Sequence, residues 1–579
     1  MTISLRTARA LVAAAACTLL AGCVQMPSEG PVVEPKASAE VDELPGFAFD
    51  PRPPQSGESA EEIVAGFLEA MRATPISTTV ARQFLSSRAD DDWAPEQQII
   101  TYNELGTASG ALAVRIPMTD VNLYDDRGAW ERTQASRTLS LGLVQEDGEW
   151  RIDQLPDALI VPDSWFGDWY ERVSLYFFDP TAEVLVPEPV FVPRGEQFAS
   201  SLVRGLLMPP SEDDADILRS YFPAGVRGLS VPITSGGIAE VALSGDPDAI
   251  DQDTADRMLA QLVWTLKQDD RINAVQLSIG GEAISFQDGS TLVNLAVGSG
   301  YDPNGARATS ELFALDRRRV VTGALGAFEE TLGPFGQQDL GIRSIGVDLD
   351  GSRIAAVSGT GSELSVAPTE APDGEVTGVV SGAVDLAQPR WDHRGRIWVL
   401  DRGARSARVI LAVDGVARVV DVPGLSGRHV TELLVSRDGS RLVAAVRGRK
   451  VDRVVSTRVR YDSAGGVLGF TPLQSLPLPS EGSPRVRDIG WHSPTSVSVL
   501  SNLADESSEV REVSVDGAPG EISTGGTIRL RGRIRVLVSS PVDLSEVYGL
   551  DGRTVVDLTR LERSVPPLPR GLTSVTYPG

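Results

Sequence analysis

The cysteine at position 23, set directly behind Leu20-Ala21-Gly22, is the side chain whose surroundings point most clearly to a covalent reaction. Its thiol is nucleophilic as the thiolate. The other cysteine, Cys17, sits inside the apolar run Ala10 to Leu20 that follows Arg6 and Arg9. A short basic start, an apolar run and small residues at 21 and 22 have the form of a secretory signal cleaved between Gly22 and Cys23. The run is too short to span a bilayer, which takes about 20 apolar residues. Removal of residues 1–22 would leave Cys23 as the only thiol, so no disulfide is expected and stability must come from buried apolar surface.

Other reactive groupings are sparse. The three histidines are His393, His429 and His492, and no HExxH, P-loop or GxSxG pattern accompanies them. His393 and His492 read as equivalent positions beside the tryptophan of a repeat, not as metal ligands. Asp348, Asp350 and Gly351 imitate the start of a calcium loop without its later ligands, which leaves a hairpin turn. Asp90-Asp91-Asp92-Trp93 reads as a solvated loop, and Gly298-Ser299-Gly300 with Asp302 to Gly305 as an interdomain turn. No catalytic residue and no metal site is expected. Two basic stretches remain as partner-binding candidates. One holds Arg441, Arg447, Arg449, Lys450, Arg453, Arg458 and Arg460; in the other, Arg529, Arg531, Arg533 and Arg535 alternate with other residues and so should share one face of a strand. Arginine suits bidentate pairing with carboxylates, either of an acidic partner or of the chain's own acidic front half.

Charge supports that division. The net charge is −26, and residues 1–300 hold 20 Lys+Arg against 45 Asp+Glu, whereas residues 301–579 are nearly balanced. The negative front half excludes nucleic acid and anionic lipid surfaces as its partners, since both need a basic footprint.

The elements that would position these groups fall into consecutive units. Residues 23–57 are rich in Pro, Glu and Ser and read as a tether reaching up to ~100 Å if extended. Residues 58–160 begin with helices carrying Ile63, Phe67, Ala70 and Met71, then Val80, Phe84 and Leu85. Alternating strands follow near Ala111 to Ile116, Arg137 to Val144 and Trp150 to Leu155. Helices leading into a curved antiparallel sheet resemble the NTF2-like α+β fold. Residues 164–290 open with a strand over Val173 to Phe178 and continue with a helix from Glu196 to Met208. Strands at Gly228 to Ile233 and Ile238 to Leu243, a helix from Asp251 to Lys267 and a strand at Ala274 to Ile279 complete the unit. Residues 291–579 repeat. Val347-Asp348-Leu349-Asp350-Gly351, Trp391-Asp392-His393-Arg394-Gly395 and Val435-Ser436-Arg437-Asp438-Gly439 place their glycines 44 residues apart, with a weaker copy at Trp491 to Leu500. Each copy reads strand, tight turn, strand, and a period of about 44 fits one blade of a β-propeller of about six blades.

Several of these motifs carry family resemblances. Leu20-Ala21-Gly22-Cys23 resembles the lipobox of bacterial lipoproteins, which implies a diacylglycerol thioether on Cys23, with a possible N-acyl chain, and no other cofactor. Two or more acyl chains hold a protein stably on a membrane where one would not. Leu175-Tyr176-Phe177, Phe222-Pro223-Ala224-Gly225 and Gln261 to Leu266 resemble the GerMN domain. Lipobox, tether, helix-sheet unit, GerMN-like α/β unit and propeller, in that order, resemble the LpqB family of actinobacterial lipoproteins. That resemblance implies a non-enzymatic lipoprotein anchored on the outer face of the cytoplasmic membrane. It further implies contact with the extracellular domain of an MtrAB-like sensor histidine kinase, affecting envelope homeostasis and division. The alternative is a cell-wall glycan or peptidoglycan binder, or a hydrolase or lyase with a site in the propeller channel. Channel carboxylates and a pocket lined by Trp391, Trp398 or Trp491 would favour it.

Overall fold

The computed structural model describes residues 48–579, apart from short stretches at 111, 211–213, 229–230, 287–288, 404–405, 479–484, 504–505, 520–526, 543–544 and 562. The signal segment, Gly22, Cys23 and most of the tether lie outside the described residues.

The ordered chain begins before residue 58. Phe49 exchanges backbone hydrogen bonds with Thr74 at 3.1 and 3.0 Å, and the Gly57 amide donates to Glu149 at 2.8 Å. The tether's last ten residues are therefore pinned to the first domain. A capping box between Ser59 and Glu62 starts the helix Ala60–Ala70, which buries Ile63, Val64 and Phe67. Asp90 to Asp92 are not a loop; they end the helix Ser87–Asp92, capped by Ser86, while Trp93 turns into the core at 3% exposure. The sheet that follows pairs its long strands Ala113–Tyr124 and Trp130–Glu146 antiparallel. It also contains one parallel pair, Ile99–Tyr102 with Leu159–Pro162, which an all-antiparallel reading does not provide. The helix Asp163–Trp169 completes this unit, because Trp165, Phe166 and Tyr170 pack into its core. The expected boundary at 164 therefore falls too early.

The second domain pairs Tyr170–Phe178 with Leu185–Pro193 as a two-stranded ribbon. Its sheet sets Ile238–Leu243 parallel to Ala274–Ile279, joined through the helix Gln252–Leu266. Asp251 caps that helix by accepting from the Thr254 amide. Gln261 and Thr265 are polar yet fully buried, because they bond to the ribbon. Gln261 Nε2 donates to Tyr176 O at 3.0 Å, and the Tyr176 amide donates to Thr265 Oγ1 at 3.2 Å. Of the strand expected over 228–233, residues 229–230 lie outside the described residues, and Gly228 and Ile233 form isolated bridges. Leu292–Asn294, expected in the propeller, instead pairs with Ala274–Ile279 and buries Val293, so this domain extends past 290.

The remainder forms six sheets, the blades of a propeller. The hairpins read from the repeat are the two innermost strands of their blades: Ile342–Val347 with Arg353–Ser358, Arg390–Trp391 with Ile397–Asp401, Val430–Val435 with Arg441–Val446, and Arg485–Ser493 with Ser496–Asn502. Gly351, Gly395 and Gly439 take φ of +79°, +67° and +76°, which the tight turn between those strands requires. The ring closes on itself. The last strand, Leu572–Thr576, pairs with Leu312–Asp316, so the first blade takes its innermost strand from the end of the chain. Closure ties the end of the chain into the first blade and holds the ring together.

Candidate functional site: a clamped end and an open end of the propeller

Successive strands of each blade run antiparallel, so every turn joining the innermost strand to the second lies at one end of the ring. Two of those turns are tied by their own aspartates. Asp348 accepts from the Arg353 amide and its Nε, both at 2.9 Å, and Asp392 accepts from Arg396 Nε at 2.7 Å and Trp398 Nε1 at 2.9 Å. Asp348 is thus committed to its own turn. Trp391 pairs with Ile397 and Trp491 with Val497, which makes His492 the counterpart of Asp392 and not of His393. The two histidines are one residue out of register: His492 is exposed beside Glu512, whereas both ring nitrogens of His393 are buried without a hydrogen-bond partner. Burial holds the His393 imidazole below its usual pKa, in its neutral form. Among the described residues no group of three or more His, Cys, Asp or Glu could hold a metal ion.

The second domain sits on this end and is clamped there by ions. Glu188, on the ribbon, receives Arg441 Nη2 at 2.9 Å and also Arg458. Both oxygens of Asp216 accept from Arg460 Nη1, at 2.8 and 2.9 Å, and its carbonyl accepts from the Tyr461 amide. Glu183 pairs with Arg394 at 2.7 Å, and Arg172 reaches Thr495 O and Ser514. Arg441 is 6% exposed, Arg458 16% and Glu188 18%, so the central pair is largely out of water. Burial draws the Arg458 and Arg172 guanidinium pKa values below normal, with the nearby carboxylates opposing it. Arg437 ties the join together at the axis: it donates to Asn304 O in the interdomain segment, to Ser540 Oγ, and to Pro578 O. Burial pushes its pKa down to about 10. Arg441, Arg458 and Arg460 from the first basic stretch therefore bind the chain's own acidic front half.

The other end of the ring is formed by the loops between second and third strands and by the connections between blades. From the innermost strands, Arg390, Glu432 and Asp488 form a buried group of interacting charges. Arg343 and Arg402 hold Asp385 at 2.5 and 3.1 Å, and Arg402 lies 3.9 Å from Glu432. Burial, then the neighbouring Asp488 charge, raises the Glu432 pKa to about 8; burial raises that of Asp488 to about 6. These buried carboxylates had no recognisable sequence signal, because each is a lone acid inside a strand. The tryptophans are elsewhere: Trp391, Trp398 and Trp491 are 1%, 0% and 7% exposed within the blade cores.

Arg447, Arg449 and Lys450 occupy the loop between Arg441–Val446 and the strand Arg453–Tyr461, which Arg453 opens, at this open end. Arg447 and Arg485 share the buried Asp452 at 2.6 and 2.8 Å. The second basic stretch does not lie on one strand face. The strand Thr527–Arg531 carries only Arg529 and Arg531, and Gly532 at φ +96° turns the chain before Arg533 and Arg535. Arg529 pairs with Glu509 at 2.9 Å, Arg533 with Glu506 at 3.6 Å and Arg535 with Asp551 at 3.0 Å.

An α+β domain and a GerMN-like domain clamped onto one end of a six-bladed ring define a multidomain propeller protein built around charged faces. Residues 53–167 match the family described as Lipoprotein LpqB, N-terminal domain, residues 174–285 match Sporulation and spore germination, and residues 319–565 match Lipoprotein LpqB beta-propeller domain. Proteins named Lipoprotein LpqB are similar along nearly the whole chain. That of Thermobifida fusca (strain YX) is 27% identical over 90% of this chain and 92% of its own. Those of Streptomyces coelicolor and Mycobacterium ulcerans (strain Agy99) are 26% and 28% identical, over 87% and 90% of this chain and 88% and 90% of theirs. The chain belongs to the LpqB lipoprotein family.

Proposed function

We propose that this protein is a lipid-anchored, extracytoplasmic accessory of an envelope sensor histidine kinase, of the MtrAB-like kind, that acts by binding and not by catalysis. Cys23 carries the diacylglycerol anchor, and the tether carries the folded domains outward from the membrane. The observation that carries the reading is the one-sided propeller. Its inward-turn end is occupied by the chain's own GerMN-like domain, and its open end presents arginine-rich loops with no tryptophan platform for a sugar. Burial of Trp391, Trp398 and Trp491 speaks against the wall-glycan alternative, because carbohydrate stacking needs an exposed aromatic face. The buried carboxylates Glu432 and Asp488 are a feature, among the described residues, that a hydrolase or lyase would share. Their neighbours Arg390, Arg402 and Arg487 are placed to offset their charge.

The test titrates the Cys23→Ser chain, which escapes lipidation, against the extracellular segment of the organism's own MtrB-like kinase by calorimetry at several salt concentrations. Saturable, salt-weakened binding is the expected result. Absence of binding at high micromolar concentration, together with binding or cleavage of peptidoglycan fragments, would replace the accessory reading with the wall-ligand one.

A further inference from the structure

The two basic stretches, some 80 residues apart in sequence, lie at the same end of the ring. The loop 447–453 belongs to the fourth blade, and Arg485 at the start of the fifth reaches across to it, donating to Gly448 O at 2.9 Å and Arg449 O at 3.1 Å. Arg531, Arg533 and Arg535 lie where the fifth blade passes to the sixth, and Arg533 touches Glu506 in the fifth blade's own outer loop. All of these positions are at the end of the ring opposite the docked domain. Among the described residues of these loops the carboxylates are fewer than the cations; Glu481 and Asp505 lie outside the described residues. Residues 447–453 hold four cations against the single carboxylate Asp452, which is itself buried between Arg447 and Arg485. Arg428, Arg449, Lys450, Arg453 and Arg531 are exposed, and none of them has an ion pair among the described residues.

We propose that this arc, running over the fourth and fifth blades to the start of the sixth at the open end of the propeller, is a docking surface for an acidic protein partner. The inference deepens the accessory reading by assigning the face and the chemistry of the contact, and it rests on that reading only for the partner's identity.

Two observations select a carboxylate-bearing protein over an anionic lipid surface. The same propeller already docks a protein domain through arginine and carboxylate pairs: Glu188 with Arg441 and Arg458, Asp216 with Arg460, and Glu183 with Arg394. The open end offers the same side-chain chemistry, with Arg449, Arg453 and Arg531 in no ion pair among the described residues, and the planar guanidinium fork suits carboxylates in particular. Moreover, Glu506 and Asp551 stand among the arginines, exposed at 82% and 42% of their side chains. A uniformly negative lipid plane would press against those carboxylates, whereas a protein surface can place a neutral or basic group opposite them. The shape of the molecule adds a geometric reason: the opposite end is filled by the GerMN-like domain, so the open end is where a second protein can sit across the axis.

The experiment uses the Cys23→Ser full chain, the same chain with Arg449→Glu and Arg531→Glu, and a control with Arg418→Glu and Arg115→Glu, two exposed arginines outside the arc. The probe is a fluorescent poly-glutamate peptide of about 20 residues, read by anisotropy at low and physiological salt. The expected result is binding by the parent and the control, at least ~10-fold weaker binding by the arc variant, and loss of binding at high salt. Equal weakening by arc and control variants would overturn the proposal, since the effect would then be net charge alone. So would stronger retention of the parent on phosphatidylglycerol vesicles than on the peptide, which would make the face a lipid contact. Circular dichroism and thermal melts of both variants establish that they fold. The same three chains titrated with the kinase segment separate the two readings. Equal binding by parent and arc variant would leave the accessory role standing and remove this face from it. Kinase silence alongside site-specific binding of the peptide would do the reverse.

Discussion

Glu188→Gln is the perturbation that most directly tests whether the second domain is clamped to the propeller by charge. The glutamate bridges two arginines, Arg441 at 2.9 Å and Arg458, with all three side chains less than a fifth exposed. An amide keeps the shape and a hydrogen-bond acceptor but removes the charge, so both guanidinium groups stay buried with no anion between them. Breaking one partner out of a buried ion pair typically costs about 3–5 kcal/mol. Asp216, Glu183 and the Arg172 contacts remain, and the amide retains part of the hydrogen bonding, which places the expected loss near ~3 kcal/mol. At about 1.4 kcal/mol per tenfold, the undocked population rises on the order of a hundredfold. Hydrogen exchange reads this as lost protection at Leu185–Pro193 and at Arg453–Tyr461, while the blade cores around Val399 and Val443 keep theirs. Arg458→Met, alone and combined with Glu188→Gln, completes a double-mutant cycle. The exposed pair Arg82 and Asp90, with side chains 35% and 48% exposed, serves as a comparison worth no more than ~1 kcal/mol. Protection within threefold of the parent, or a coupling between Glu188 and Arg458 below about 0.5 kcal/mol, would refute the ionic clamp and leave apolar packing as the cause of docking.

Cys23→Ser abolishes incorporation of labelled palmitate and moves the protein from the membrane fraction to the medium; retention of label would place the acyl chains on another residue. Glu432→Gln changes how stability depends on pH. In the folded chain the Glu432 pKa is raised from 4.5 to about 8, so the native state binds a proton that the unfolded state has released, and stability falls as pH rises through that window. The amide removes this slope and raises stability at high pH, by less than the full shift would give because the titrations of Glu432 and Asp488 are coupled. Urea denaturation at pH 5, 7 and 9 checks it, and parallel pH profiles of parent and variant would contradict the buried pair. Gly395→Ala forces a β-carbon onto a residue at φ +67°, within 2.5 Å of Arg353 Nη2, and lowers the denaturation midpoint by roughly 1–2 kcal/mol of stability; an unchanged midpoint would mean the turn adapts.

The parts of this fold that depend on near neighbours in sequence were legible in it. Ile63, Val64 and Phe67 follow a Ser59 to Glu62 capping box, and the glycines at 351, 395 and 439 mark turns whose neighbouring strands pair as expected. Misreadings arise where a partner is distant. Leu292–Asn294 resembles any short strand and is claimed by the second domain only because Ala274–Ile279 offers it an edge. Closure through Leu572–Thr576 joins residues more than 250 apart, and no local pattern distinguishes a closing strand from an ordinary one. The alternation of Arg529 to Arg535 looked like a single strand face because periodicity alone does not show that Gly532 takes a positive φ. The two histidines follow tryptophans at different spacings, and the pairing of Trp491 with Val497 sets their register one residue apart.

Clusters of arginine in a sequence state that carboxylates are wanted without stating whose. In this molecule the answer divides by position along a blade. Arg441, Arg458 and Arg460 lie toward the inward-turn end and find Glu188 and Asp216, which are 244 to 270 residues away and belong to the strongly acidic half of the chain. Arg449, Lys450 and Arg453 lie in the same blade, a few residues from the first group, yet at the opposite end of its strands, beyond the reach of that half. A strand of six residues such as Arg441–Val446 spans about 20 Å, two Debye lengths at physiological salt, so charges at one end do little to neutralise those at the other. The acidic half can saturate only one face. The surplus on the other follows from the geometry of a radial blade, whose ends face opposite ways, and it gives the propeller a direction: one face bound to its own chain, the other left charged toward whatever lies beyond it.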